Sequence, residues 1–150
     1  IVLKHKDNKI LCFSQFNSQT NKFYWELLEC GVKARIIHSG LPKAERDKAL
    51  SDFMHDRASL LLATRVLDEG FNLPAVDVGV ITASDSSPTQ TIQRLGRILR
   101  KKDKISYLYY LYVVDTIEEE QKYVKAKLYK DLASDYREYK FGYNEVVSID

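Results

Sequence analysis

The run Gln93-Arg94-Leu95-Gly96-Arg97-Ile98-Leu99-Arg100 concentrates more chemistry than any other stretch of this sequence. Arginine recurs at every third position, and a glycine separates the first two. In a helix, Gln93, Arg97 and Arg100 fall at i, i+4 and i+7 and share one face, with Arg94 about 100° to the side. An amide and two guanidiniums on one stripe suit the grip of a polyanion, because a guanidinium is permanently charged and meets phosphate oxygens two at a time. Gly96 costs such a helix about 1 kcal/mol relative to alanine and leaves room for a close approach. The plainer alternative is a solvated basic face, or a patch paired with acids elsewhere in the chain.

A second polar stretch runs from Thr64 to Pro74. Gly70 there allows backbone amides to face a ligand. The Thr64 hydroxyl and the Arg65 charge can both reach a phosphate, although an ordinary surface loop has the same composition. Ser14 and Ser39 also follow apolar runs, where a hydroxyl either holds a phosphate or caps a helix. His38 reads as structural. None of the six glycines precedes a lysine, so the chain has no Gly-x-x-x-x-Gly-Lys-Ser/Thr phosphate loop. No zinc spacing, Ser-His-Asp set or Cys-His set is present, and no metal site is expected. Asp115, at the end of an apolar run, reads as a helix cap rather than a magnesium ligand.

Stepping outward, these residues sit at the ends of regular elements. Residues 9–13, 32–37, 60–63, 76–82 and 107–114 are apolar runs that read as strands. Between them, residues 19–30 and 42–55 and the arginine stretch from Thr89 have helical periodicity, with Gly31 as a C′ residue and Pro42 in a first turn. Asp115 or Thr116 then caps a last helix to about Leu132. Apolar strands alternating with helices predict an α/β fold, a parallel sheet of about five to six strands with helices on both faces. Ligands of such sheets gather beyond the carboxyl ends of the strands. The polar loops 14–18, 38–40, 64–74 and 84–88 all map to that edge.

The formal charge is +2 over 150 residues, unevenly spread. Residues 1–114 hold 17 basic and 12 acidic groups, whereas 115–150 hold 6 and 9. A basic body over an acidic tail fits a polyanion partner. Cys12 and Cys30 lack metal spacing and read as small apolar residues of an intracellular protein. No run approaches the roughly 20 apolar residues needed to span a bilayer, and no membrane association is expected. The chain opens without Met and without a signal-peptide layout, and it reads as a piece of a longer protein.

Residues 93–100 resemble motif VI of the superfamily-two helicases, Gln/His-Arg-x-Gly-Arg-x-x-Arg. Residues 64–74 resemble motif V, residues 10–17 resemble motif IV, and His38-Ser39-Gly40 with Arg46 and Phe53 resembles the segment between them. All stand in the family's order across about residues 1–115. Val66-Leu67-Asp68-Glu69-Gly70 followed by residues 92–100 is most similar to the XPB group of DNA-repair and transcription helicases. The resemblance implies a C-terminal RecA-like motor lobe at 1–115 and a helical extension at 116–150 packed on or beside it. It implies Arg97 and Arg100 as arginine fingers, Gln93 as γ-phosphate sensor, and Gly70, Asp68 and Asn72 beside the nucleotide. Asn72 stands where the family has Asp. Thr64, Arg65, Ser14, Gln15 and Ser39 are the expected nucleic-acid contacts.

The implied cofactor is ATP with Mg2+, both held mainly by a first lobe. The implied partners are DNA, that N-terminal lobe, and a protein bound through the extension. The implied activity is ATP-driven DNA unwinding or translocation, in repair or transcription, absent from this lobe alone. Two other functions fit the residues. One is a non-catalytic helicase-like docking module. The other is an unrelated α/β domain that binds RNA through residues 94–104.

Overall fold

The computed structural model describes residues 1–64, 73–82, 96, 99, 103–120, 122, 130–131, 133–141 and 146–149, the last segment and residues 140–141 by backbone alone. Five strands form one sheet: β1 Ile10–Ser14, β2 Ala34–Ile37, β3 Leu60–Thr64, β4 Val78–Ile81 and β5 Tyr107–Tyr110. Their order is β2-β3-β1-β4-β5, and every pairing is parallel. Helix α1 (Asn17–Glu29) links β1 to β2, and α2 (Lys43–Met54) links β2 to β3.

Alternation along the strands explains why both faces need a cover. Ile10 and Cys12 of β1 join Leu60, Leu62, Val78 and Val80 in one cluster, against which Phe23, Tyr24, Leu27 and Leu28 of α1 pack. Leu11 and Phe13 point the other way, into a cluster with Leu61, Ala63 and Ile81 that Ala49 and Phe53 of α2 complete. The expected α/β fold with helices on both faces is the fold observed. Burial within the first cluster pushes the Cys12 thiol up to about 12, so it behaves as an apolar side chain.

Several boundaries differ from the sequence reading. Helix α1 begins at Asn17, two residues before the expected start, although its end is as expected. Gly31 adopts φ +77°, and Gly31 N–H and Val32 N–H donate to the Leu28 and Leu27 carbonyls. That Schellman closure takes Val32 out of the strand, so β2 starts at Ala34. Strand β5 ends at Tyr110, not Val114. Leu111 N–H makes the last ladder bond, to Ile81 O, and Val113 and Val114 are exposed. Thr116 rather than Asp115 is the cap: its Oγ1 accepts from Glu118 N–H, and residues 117–120 are helical.

The tail expected to be helical also carries an antiparallel pair, β6 (Glu138–Phe141) with β7 (Val146–Ile149). Tyr139, Phe141, Val146, Val147 and Ile149 are strand formers, and the intervening residues include Gly142 and Asn144. Lys122, 6% exposed, donates to Glu138 Oε1 at 2.6 Å and to Tyr112 Oη at 3.3 Å. The Tyr112 hydroxyl itself donates to Glu138. This triad joins the tail to the segment that leaves β5.

Candidate functional site

In a parallel sheet every strand ends on the same edge, and register decides which residues become neighbours there. Ser14 pairs with Thr64, the last residues of β1 and β3. Ile37 pairs with Ala63, which brings His38 level with Thr64. Phe13 pairs with Ile81, which brings Thr82 level with Ser14. Along the carboxyl edge the chain therefore sets His38, Thr64, Ser14 and Thr82 in a row of polar residues on an apolar sheet.

Each member has a defined local task. Ser14 is 1% exposed; its Oγ donates to Gln19 Oε1 at 2.6 Å and accepts from Phe16 N–H at 3.4 Å. Thr64 is 2% exposed and donates to Asn17 Oδ1 at 2.7 Å. The two hydroxyls thus fasten the start of α1 to the sheet. Ser14 Oγ reaches the N–H of Phe16, the residue before α1, and α1 has no side-chain cap bond. Thr82 donates through both N–H and Oγ1 to Phe13 O, at 2.9 and 3.3 Å. Gln15 is half-buried beside this network, and Asn17 and Ser18 are exposed on it.

The loop after β2 is built around His38. The ring is buried, and Nδ1 accepts Gly40 N–H at 3.1 Å, so the proton sits on Nε2. Burial lowers the pKa of the ring and keeps it neutral. A Cβ at Gly40 would lie 3.0 Å from Nδ1 and 3.1 Å from Cε1, so any larger residue here must displace the His38 ring by a few tenths of an ångström. His38 is structural, as its sequence context suggests, and it presents the exposed Ser39 at the edge.

Behind the edge, Asp52 of α2 is buried between Arg35 of β2, at 2.8 Å, and Arg57, at 2.7 Å. Hydrogen bonds from Arg57 and then Arg35 hold its carboxyl below the usual range. This pair of contacts ties α2 to β2 and to the approach to β3. The charges are consumed structurally, and the sequence offers no comparable signal for the pairing.

Gln93, Arg97 and Arg100, expected to act on phosphate, and Asp68, Gly70 and Asn72, expected beside the nucleotide, lie outside the described residues, as does Arg65. Within the arginine run, Gly96 is helical and Leu99 packs against the α2-face cluster. Among the described residues, a Cβ at Gly96 would meet nothing within 4 Å. Among the described residues no group of three or more His, Cys, Asp or Glu could hold a metal ion. No described helix is long and apolar enough to cross a membrane.

Asn17, Gln19 and Thr82 escape sequence reasoning. Asn17 is hidden by starting the helix two residues late, and Thr82 by ending the apolar run of β4. Side-chain hydrogen bonds place Asn17 and Gln19 beside Thr64 and Ser14, and register places Thr82 beside Ser14.

An all-parallel five-stranded sheet, with Ser14 and Thr64 paired at its carboxyl edge and helices on both faces, defines an α/β lobe of the RecA-like class. The chain belongs to the helicase conserved C-terminal domain family of the superfamily-two helicases, whose family model matches residues 1–102. Over 93 residues it is 30% identical to ATP-dependent RNA helicase DBP5 of Eremothecium gossypii, covering 58% of this chain and 20% of that protein. Over 108 residues it is 29% identical to DNA 3'-5' translocase XPB2 of Sulfurisphaera tokodaii, covering 72% of this chain and 24% of that protein. The solved C-terminal domain of the DEAD-box protein Dbp5 superposes with a TM-score of 0.68 at 25% identity, covering 83% of this chain and 71% of that domain. The chain spans about a fifth to a quarter of the length of the two curated relatives.

Proposed function

We propose that this chain works as the second motor lobe of an ATP-dependent helicase or translocase, completing across a cleft a hydrolysis site begun by another lobe. The observation that carries this reading is the match over residues 1–102 together with the Gln-Arg-Leu-Gly-Arg-Ile-Leu-Arg run inside it. Arg97 and Arg100 are the proposed fingers, Gln93 the γ-phosphate sensor, and Gly70, Asp68 and Asn72 the nucleotide contacts. Except for the Asp68 carboxylate, which accepts and suits a ribose hydroxyl, these groups are cations, amides and backbone N–H donors that fit phosphate oxygens rather than Mg2+. The ion is accordingly assigned to the first lobe. ATP supplies the phosphoanhydride that is cleaved, and guanidiniums placed at the γ-phosphate stabilise the charge that develops there.

The edge formed by Ser14, Gln15, Thr64, Arg65 and Ser39 is the proposed track for the nucleic-acid backbone. Contacts to phosphates hold a strand without reading its sequence, so closing and opening of the lobes becomes stepping. We infer DNA as the track and a repair or transcription setting, on the XPB-like run at 66–70 with 92–100 and the likeness to a DNA translocase. RNA is the second reading, favoured by the likeness to DBP5. A protein partner at residues 116–150 belongs to the same proposal. ATP turnover by the whole protein tests these readings. Stimulation by DNA beyond that by RNA of equal length is expected, and the 150-residue chain alone is expected to turn over no ATP. Turnover by the chain alone would contradict the two-lobe reading; stimulation by RNA alone would replace DNA with RNA.

A further inference from the structure

The amino edge of the sheet carries an aromatic group that the motor reading leaves unused. Tyr107 opens β5 level with Val78, and Val78 is level with Ile10 at the start of β1. Tyr107 therefore lies about 13 Å from the Ser14–Thr64 row, measured along the strands. Tyr109 packs with the cluster beneath α1, and alternation puts Tyr107 on the same face. There the 3-10 turn Leu3–His5 meets β5. His5 is buried, its Nε2 is 2.7 Å from the Tyr109 hydroxyl, and its ring centroid is 5.1 Å from that of Tyr107. Tyr107 and Tyr109 stack at 6.4 Å. Two rings thus hold Tyr107 in place, yet it stays 46% exposed.

Exposed lysines gather around this ring. Lys4 and Lys6 flank His5, and Lys104 stands three residues before Tyr107. Of the acids at this edge, Asp77 accepts Lys9 N–H and Asp56 pairs with Lys9 Nζ. In the two lysine-bearing segments the described acids are Asp7 and Asp103, against Lys4, Lys6 and Lys104. We propose that Tyr107, held by His5 and Tyr109, stacks on an unpaired base of a single-stranded nucleic acid whose phosphates meet Lys4, Lys6 and Lys104, at a second site separate from the carboxyl-edge track. A ring already fixed loses little freedom on stacking, and every base has a face to offer it. An acidic peptide would satisfy the lysines and leave the ring without a planar partner. The choice of nucleic acid as the polyanion rests on the motor reading of the chain.

The test is fluorescence-anisotropy titration of the chain with oligothymidylate, with an abasic strand of equal length and with polyglutamate. Tyr107→Ala, at an exposed position, is expected to weaken oligothymidylate binding about tenfold, the value of one stacked base, and to leave binding of the abasic strand unchanged. Tyr107→Phe should bind as the unsubstituted chain does. Lys4→Ala combined with Lys6→Ala should lower the salt slope by about 1.4, close to 0.7 for each lysine on a single strand. A thymidylate strand carrying one 5-iodouracil should photocrosslink to Tyr107. Full affinity in Tyr107→Ala, an equal loss on the abasic strand, or polyglutamate binding that needs Tyr107 overturns the stacking site. A crosslink confined to the carboxyl edge also overturns it and leaves the track reading standing. Failure of both strands to bind the unsubstituted chain removes nucleic acid from the two sites together.

Discussion

His38 and Gly40 fit together as acceptor and donor, and a methyl group at Gly40 would press on the ring. Gly40→Ala is expected to cost about 1–3 kcal/mol in urea unfolding, the usual range for overpacking. Combined with His38→Ala it should cost less than the sum of the two changes, by about 0.5–3 kcal/mol, because the ring is the obstacle. Acid acts on the same loop. Burial lowers the His38 pKa in the folded chain, so its contribution to stability is present above the unfolded value, about 6.5, and is lost as pH falls through the folded value. The Asp52 carboxylate, lowered by Arg57 and Arg35, contributes above its unfolded value, about 3.9, and that part is lost at still lower pH. Thermal melts across pH 8 to 3 should therefore fall in two stages. His38→Gln should remove the upper stage and Asp52→Asn the lower. A melting temperature in Asp52→Asn that keeps the low-pH fall would remove the carboxylate from this account.

At the scale of elements, α1 and its two ends show what a sequence can and cannot disclose. The closing end is legible, since Gly31 after Cys30 signals a left-handed residue and the structure has it at φ +77°. Gly31→Ala meets no atom within 4 Å, so its cost should be purely conformational, about 1 kcal/mol by chemical denaturation. A neutral result there would show that backbone strain is relieved by movement. The opening end is not legible. Asn17 and Ser18 look like loop, and what makes them helix is tertiary: Thr64, 47 positions away in sequence, binds the Asn17 side chain. The five parallel strands are legible because each is an apolar run bounded by polar loops or helical periodicity. The premature end of β5 is not, because Val113 and Val114 are apolar yet exposed. The β6–β7 pair has strand-forming residues, but its runs are short and interleaved with Glu138, Lys140 and Glu145, so it does not stand out from the charged tail. The hydroxyl row on the carboxyl edge was legible as separate residues; their adjacency came only from register.

For the molecule as a whole, the question is how an extension and a lobe act as one body. The buried Lys122 ammonium meets Glu138 and Tyr112, and these bonds outweigh the burial that would otherwise lower its pKa. Its raised pKa means a contribution present below the unfolded value, about 10.4, and lost as pH rises through the folded value. Glu138, lowered by Lys122, contributes above about 4.3 and loses that contribution in acid. Glu138→Gln is thus expected to lower stability at neutral pH by about 1–3 kcal/mol in denaturant unfolding. One cooperative transition for lobe and extension together is expected, and two separate transitions would show that the tail is a bystander. Single-turnover ATP hydrolysis by the whole protein tests the proposed roles of Arg97 and Arg100 most directly. Removing a finger guanidinium, Arg97→Ala or Arg100→Ala, is expected to slow the chemical step by about 10³-fold or more while ATP still binds. Hydrolysis at the unsubstituted rate in both variants would contradict the assignment of these arginines to the transferring phosphate.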